Sequence, residues 1–153
     1  MATSSTNAWT KTYLDEGTLA NFTDSGQQRS RTFTVADQSK RTVIVLAWSD
    51  FASAPGNASP LLTRDLDLEV YFGNCATYWG NYINPSTEQS YATCIMPSPE
   101  STNNVELVVV PPYSGSSFTV YVHSKDLGAS RPWLPGYLTD ASQPFAIFAL
   151  NTY

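Results

Sequence analysis

The segment that decides the fold is Asp65-Leu66-Asp67-Leu68-Glu69-Val70-Tyr71-Phe72, in which polar and apolar residues alternate without interruption. Successive side chains of a β-strand point to opposite faces of a sheet. The alternation therefore predicts an antiparallel strand with four apolar side chains on the core. Its other face, which carries the three acids and Tyr71, is predicted to be half-exposed.

Further segments on both sides of this one have the same period and are bounded by Gly, Pro, Asn or Ser. They cover residues 31–35, 42–49, 105–110, 118–122 and 144–150. The turn residues between the third and fourth of them predict a hairpin. No stretch keeps a helical apolar stripe free of Pro and Gly. The sequence thus predicts an all-β fold, a two-sheet antiparallel β-sandwich or jelly roll of about eight strands.

The length of 153 residues suits one domain. Residues 1–12 are polar and unpatterned, which predicts a flexible lead-in or linker, and residues 13–153 are predicted to form the single domain. Met1 directly precedes a Thr- and Ser-rich stretch and no signal peptide follows it. We therefore expect the sequence to be a piece of a longer, secreted protein.

The charge balance bears on possible partners. Eight Lys and Arg against thirteen Asp and Glu give a net charge of −5, with an isoelectric point near 4.6. This composition provides no basic surface for nucleic acid or an anionic membrane. Only 14% of the residues are charged, which is low and suits an extracellular β-rich protein.

Three segments, taken in order, resemble a known family. They are Val45-Leu46-Ala47-Trp48-Ser49-Asp50, then Leu62-Thr63-Arg64-Asp65-Leu66-Asp67-Leu68, then Asn103-Asn104-Val105-Glu106. This series is similar to the C-terminal β-sandwich (jelly-roll, P-domain-like) of secreted subtilisin-like serine proteases. The resemblance extends over about residues 13–150. Arg64 departs from it, since the family usually has Asn there.

The resemblance implies a non-catalytic accessory domain that packs against the catalytic domain of the same polypeptide and stabilises it or assists substrate access. Subtilisin-like catalysis needs an Asp, His and Ser triad on an α/β core, and the motifs of that triad do not occur in this sequence. The chain is therefore predicted not to be an enzyme. His123, the one histidine, is predicted to be a surface residue, and hydrolysis by the acids of 65–69 is a minor alternative.

Structural calcium is a candidate cofactor, because Ca²⁺ takes six to eight oxygen ligands. Asp50, Asp65 and Asp67 are the predicted ligands, and protease accessory domains of the resembling kind often hold such an ion. A purely structural, hydrogen-bonded role for these acids is the alternative.

Aromatic side chains in loops predict a second kind of site. Exposed rings can stack on sugars, so a module that binds polysaccharide or an insoluble protein is the rival function. Burial of the same rings under the loops is the structural alternative. The candidate ligand-binding residues are Trp79, Asn81, Tyr82, Tyr91, Trp133 and Tyr137.

Cys75 and Cys94 lie 19 positions apart in a polar, turn-rich stretch. A disulfide is predicted, and closing such a loop would stabilise the fold by about 3 kcal/mol in the chain-entropy model. Two free thiols are the alternative. A zinc site is poorly supported, because two Cys and one His at this spacing match no common ligand pattern.

Overall fold

The computed structural model describes residues 11–14, 21–50, 62, 64–73, 76–97, 101–112, 115–127 and 142–152. Within these ranges there are ten strands and no helix, so none that could span a membrane. In chain order the strands are β1 (Lys11–Leu14), β2 (Asn21–Phe22), β3 (Gln28–Thr34), β4 (Thr42–Trp48), β5 (Asp65–Tyr71), β6 (Thr77–Asn84), β7 (Gln89–Thr93), β8 (Val105–Val110), β9 (Ser117–Asp126) and β10 (Gln143–Leu150).

The strands form two antiparallel sheets, which confirms the predicted all-β sandwich. Sheet one has the order β1-β10-β4-β8, with β2 also paired to β10, and sheet two has the order β3-β9-β5-β6-β7. Every pairing is antiparallel. Each sheet therefore buries one face of its alternating strands against the other sheet.

The core consists of the inward residues of both sheets, as the alternation predicts. Sheet one contributes alternate residues of β4, β8 and β10, and sheet two contributes those of β5 and β9. The side chains of Leu66, Leu68 and Val70 are fully buried, and Phe118 stacks on Phe72 at a centroid separation of 4.8 Å. A one-residue shift in register would move these apolar sets to the outside, so the pattern fixes the pairing.

The number and extent of the strands differ from the prediction. The described segments contain ten strands where about eight were expected, because β6 and β7 form a hairpin where the aromatic residues Trp79, Tyr82 and Tyr91 were expected to lie in loops. In that hairpin, Ser86 N–H donates to Asn84 Oδ1 over 2.9 Å, which makes a local turn around Pro85. At the start of the chain, β1 begins at Lys11, two residues before the predicted domain boundary.

The hairpin predicted between residues 105–110 and 118–122 is wrong. The first of these segments, β8, pairs with β4 in sheet one, whereas β9 pairs with β3 and β5 in sheet two. Both strands alternate correctly, but alternation does not say which strand is the neighbour. The connection through Pro111 and Pro112 thus crosses from one sheet to the other.

The outer face of β5 is less exposed than predicted. The side chains of Asp65 and Asp67 are buried, with Asp67 only 4% exposed, whereas Glu69 is partly exposed and Tyr71 at the end of the strand is exposed. β5 lies in the middle of sheet two, and Asp67 lies opposite the larger His123 of β9, which accounts for the burial of Asp67.

A buried carboxylate joins the two sheets. Glu106 of β8 is 2% exposed, and its Oε2 accepts a hydrogen bond from the backbone N–H of Leu68 in β5 at 2.5 Å. The pairing of β5 with β6 stops at Glu69 and Trp79, one position before Leu68. The carboxylate of sheet one therefore takes the place of a missing strand partner in sheet two.

Gly80 makes room for this carboxylate. A Cβ added at Gly80 would lie 2.5 Å from Cδ of Glu106 and 2.8 Å from its Cβ, closer than atoms can pack. The absence of a side chain at position 80 is thus a requirement of the contact between sheets.

We expect Gly80→Ala to lower the free energy of unfolding by about 1–3 kcal/mol through overpacking, and Glu106→Ala by about 3 kcal/mol through the unpaired Leu68 N–H and the cavity. Urea unfolding of the two single variants and of the double variant measures these losses in the free energy of unfolding. Because the two changes act on one contact, the double variant should lose less than the sum of the single losses. Strict additivity would contradict this account.

Candidate functional site

The three sequence segments that carry the family resemblance meet at one corner of the sandwich. Trp48 donates its indole Nε1–H to the carbonyl of Arg64 over 2.8 Å, and the backbone N–H of Arg64 donates to Asp50 Oδ1 over 2.9 Å. Asn104 donates from Nδ2 to the carbonyl of Trp48 over 2.8 Å, and Trp48 N–H donates back to the carbonyl of Asn104. These bonds fix the ends of β4, β5 and β8 to one another.

Arg64 is the centre of this corner. Its guanidinium is buried and donates from Nη1 to the carbonyl of Ser142 and to Oε1 of Gln143, which is itself fully buried. A buried arginine costs free energy unless its donors are satisfied. Arg64 thereby connects the start of β5 to the start of β10, a role that its departure from the family pattern did not reveal.

The predicted calcium ligands lie in two parts of the fold. Asp50 accepts from Arg64, whereas Asp67 lies inside β5, opposite His123 of β9. Among the described residues no group of three or more His, Cys, Asp or Glu side chains is arranged to hold a metal ion. Asp50 belongs to the hydrogen-bonded corner and Asp65 and Asp67 to β5, and calcium binding by these residues stays a prediction.

A polar and aromatic cluster covers the outer face of sheet two. It consists of Asp67 and Glu69 of β5, Trp79 of β6, and Tyr121 and His123 of β9, and we call it the outer-face cluster. Its centre is a contact of 2.9 Å between His123 Nε2 and Glu69 Oε2, two side chains that are 30% and 19% exposed. This pair is thus both held in place and open to solvent.

Aromatic rings flank this pair. The rings of Trp79 and His123 have centroids 6.0 Å apart, and those of His123 and Tyr121 lie 6.3 Å apart. Glu69 is the register partner of both Trp79 and Tyr121, which places a carboxylate between the two aromatic side chains. The indole Nε1 of Trp79 is buried and has no hydrogen-bond partner among the described residues.

Asp67 has a perturbed acidity. Burial raises the pKa of its carboxyl above the usual value of 3.8, while the positive charges of Lys125 and His123 oppose this in part. The carboxyl therefore keeps its proton to a higher pH than an exposed aspartate does.

The predicted aromatic ligand-binding residues that the structure describes do not all contact one another. Tyr82 and Tyr91 are each 41% exposed, and their rings contact each other at 4.9 Å between centroids on the β6–β7 hairpin. Trp79 contacts His123 instead. Trp133 and Tyr137 lie outside the described residues. The described candidates thus belong to two separate groups.

Asn81 has a structural task. Its Nδ2 donates to the carbonyl of Val105 over 3.0 Å, and its Oδ1 accepts from the N–H of Leu107 over 3.0 Å. Ser90 Oγ similarly accepts from the N–H of Val109. These side chains pair with the outer edge of β8 as a neighbouring strand would, and so protect it from pairing with other chains. The predicted role of Asn81 in ligand binding is not supported by this arrangement.

The predicted disulfide stays a prediction. Cys94 follows β7 and is exposed, and Cys75 lies outside the described residues. The pairing of Thr77 with Thr93, the residues that come shortly after Cys75 and directly before Cys94, is compatible with it.

Comparisons with known proteins add no assignment: no protein-family model matches the chain, and no curated protein matches it.

We expect Asp67→Asn to raise the free energy of unfolding at about pH 7 and to have a smaller effect at about pH 3. The folded-state pKa of Asp67 lies above the unfolded value, so the folded protein binds more protons between the two, and stability falls as pH rises through that window. Asn removes this loss. Urea unfolding at both pH values measures the effect.

The exposed Glu88 in the turn after β6 gives a matched control, and Glu88→Gln should change stability little at either pH. A loss of stability in Asp67→Asn at neutral pH would contradict the assignment of burial as the dominant cause.

Proposed function

We propose that this chain is a non-catalytic accessory domain of a secreted subtilisin-like serine protease, a domain that stabilises the catalytic domain or assists substrate access. The observation that carries the proposal is the hydrogen-bonded corner of Trp48, Asp50, Arg64 and Asn104. The segments of the sequence resemblance are distant along the chain, and this corner brings them into direct contact.

The same segments supply the bond between Glu106 and Leu68 that links the sheets. An accessory domain contributes a rigid surface to a larger enzyme. It therefore needs residues that hold its two sheets together. A catalytic function would instead need reactive groups assembled in a cleft. The motif residues are committed to structural bonds, which favours the scaffold over the hydrolase alternative.

The protein that contains this chain supplies the test. Its reading frame is expected to encode the Asp, His and Ser segments of a subtilisin-like catalytic domain. Removing residues 11–152 from the secreted enzyme should shorten its half-life of thermal inactivation by about threefold or more, because a packed neighbouring domain slows unfolding. Hydrolysis of a short peptide, measured as kcat/KM, should change by less than about twofold.

Removing only the Glu106 bond, as Glu106→Ala, gives the matched control, and it should shorten the half-life in the same direction. A reading frame without the three catalytic segments would refute the proposal. An unchanged half-life after the deletion would refute the stabilising role.

A second candidate function is attachment to an insoluble polysaccharide or protein. The observation that favours it is the exposed pair of Tyr82 and Tyr91 on the β6–β7 hairpin. Exposed aromatic rings that contact each other are a common means of binding, since they bury much apolar area with little loss of side-chain entropy.

Pull-down of the chain on cellulose, chitin, xylan and fibrous collagen tests this candidate. Saturable binding should weaken by about tenfold in Tyr82→Ala if the pair is the contact. Tyr71→Ala is the matched control, because Tyr71 is 40% exposed but lies on β5, outside the pair. No binding to any of the four polymers would eliminate this candidate and leave the accessory domain.

A further inference from the structure

The outer-face cluster is used neither by the proposed scaffold nor by the Tyr82–Tyr91 pair. The bonds that join the sheets lie at the corner around Arg64 and at Glu106, whereas this cluster lies on the opposite side of β5 from the core. It combines two aromatic rings, two carboxyl groups and an imidazole on three neighbouring strands.

The hydrogen-bonding groups of the cluster define the chemistry of a partner. Glu69 is an acceptor that is partly open to solvent, and the Nε1–H of Trp79 is a donor with no partner in the described part of the chain. A buried polar atom that lacks a partner costs free energy until something bonds to it. A ligand for this face should therefore both donate and accept hydrogen bonds.

Charge narrows the class of possible ligands further. An anion offers only acceptors and would be placed beside the carboxyl groups of Asp67 and Glu69, so it is disfavoured. A simple cation offers only donors and leaves the Trp79 Nε1–H unpaired. A hydroxyl group is donor and acceptor at once. The faces of sugar rings are apolar and fit against aromatic side chains such as Trp79 and Tyr121, which stand on either side of Glu69.

We propose that the outer-face cluster is a binding site for a neutral saccharide, held by stacking on Trp79 and by hydroxyl hydrogen bonds to Glu69 and His123. The 2.9 Å contact between His123 Nε2 and Glu69 Oε2 fixes the orientation of both groups, which lowers the entropy lost when a sugar binds. The site rests on these side chains alone and is independent of any association with a protease.

Isothermal titration calorimetry of the chain with cellohexaose, xylohexaose, mannohexaose and N-acetylchitohexaose tests the proposal. At least one should bind with a Kd of about 1 mM or tighter. Trp79→Ala should weaken that binding by about tenfold or more through lost stacking, and the isosteric Glu69→Gln by about fivefold to tenfold through a lost charge-assisted hydrogen bond. An oligogalacturonate of equal length should not bind, because its carboxylates are repelled.

Tyr82→Ala is the matched control, since it removes an exposed ring outside the cluster, and it should leave the affinity unchanged. Thermal unfolding of each variant separates loss of binding from loss of folding, and Glu69→Gln keeps the test decisive where Trp79→Ala fails to fold. The proposal is overturned by absence of binding to all four neutral hexasaccharides, or by binding that both cluster variants retain. Loss of binding in Tyr82→Ala would also overturn it, in favour of the tyrosine pair.

Discussion

The two-sheet arrangement depends on the carboxylate of Glu106. A glutamate in the interior would normally be destabilising, because burial removes it from water. Here one oxygen accepts the N–H of Leu68, a backbone donor that sheet two leaves without a strand partner at that point. Gly80 supplies the space. The free-energy cost of burying this polar group is thus offset because it satisfies a backbone N–H that would otherwise lack a partner.

This bond also explains why β6 leaves β5. Beyond Trp79 the chain turns away through Asn81, whose φ of 57° is unusual for a residue other than glycine. At this turn the side-chain amide of Asn81 points to β8, where it hydrogen-bonds to the backbone of Val105 and Leu107. The β6–β7 hairpin therefore spans the gap between the sheets, and its side chains cover an edge that would otherwise be open to another strand.

The sequence predicted the strands of the core well and the connections between them poorly. Alternation in β5, β9 and β10 identifies inward residues such as Leu68, Val120 and Ile147, all of which are buried. Alternation does not show which strands pair with each other, so the β8–β9 hairpin was wrongly predicted. Alternation also does not show what packs against the outer face of a strand, and for this reason Asp67 was expected to be more exposed than it is.

The candidate site was predicted in part, for similar reasons. Trp79 was singled out as an aromatic residue, and Asp67 as an acid, but no pattern along the chain showed that β5, β6 and β9 bring them next to His123 and Glu69. Arg64 was noted as a departure from a family pattern, whereas its buried bond to Gln143 depends on a contact across 79 positions of sequence. The sequence shows the type of each side chain, but which side chains lie next to one another depends on the order of the strands in the sheet.

Strand order also has a consequence for how the protein forms during synthesis. β10 is the last of the described strands, yet it lies inside sheet one, where it pairs with β1, β2 and β4. Sheet one therefore cannot close until the residues up to Leu150 have left the ribosome, and until then the apolar faces of β4 and β8 have no complete partner. Folding that depends on such distant pairings is slow. Until β10 pairs, the incomplete sheet is prone to aggregation.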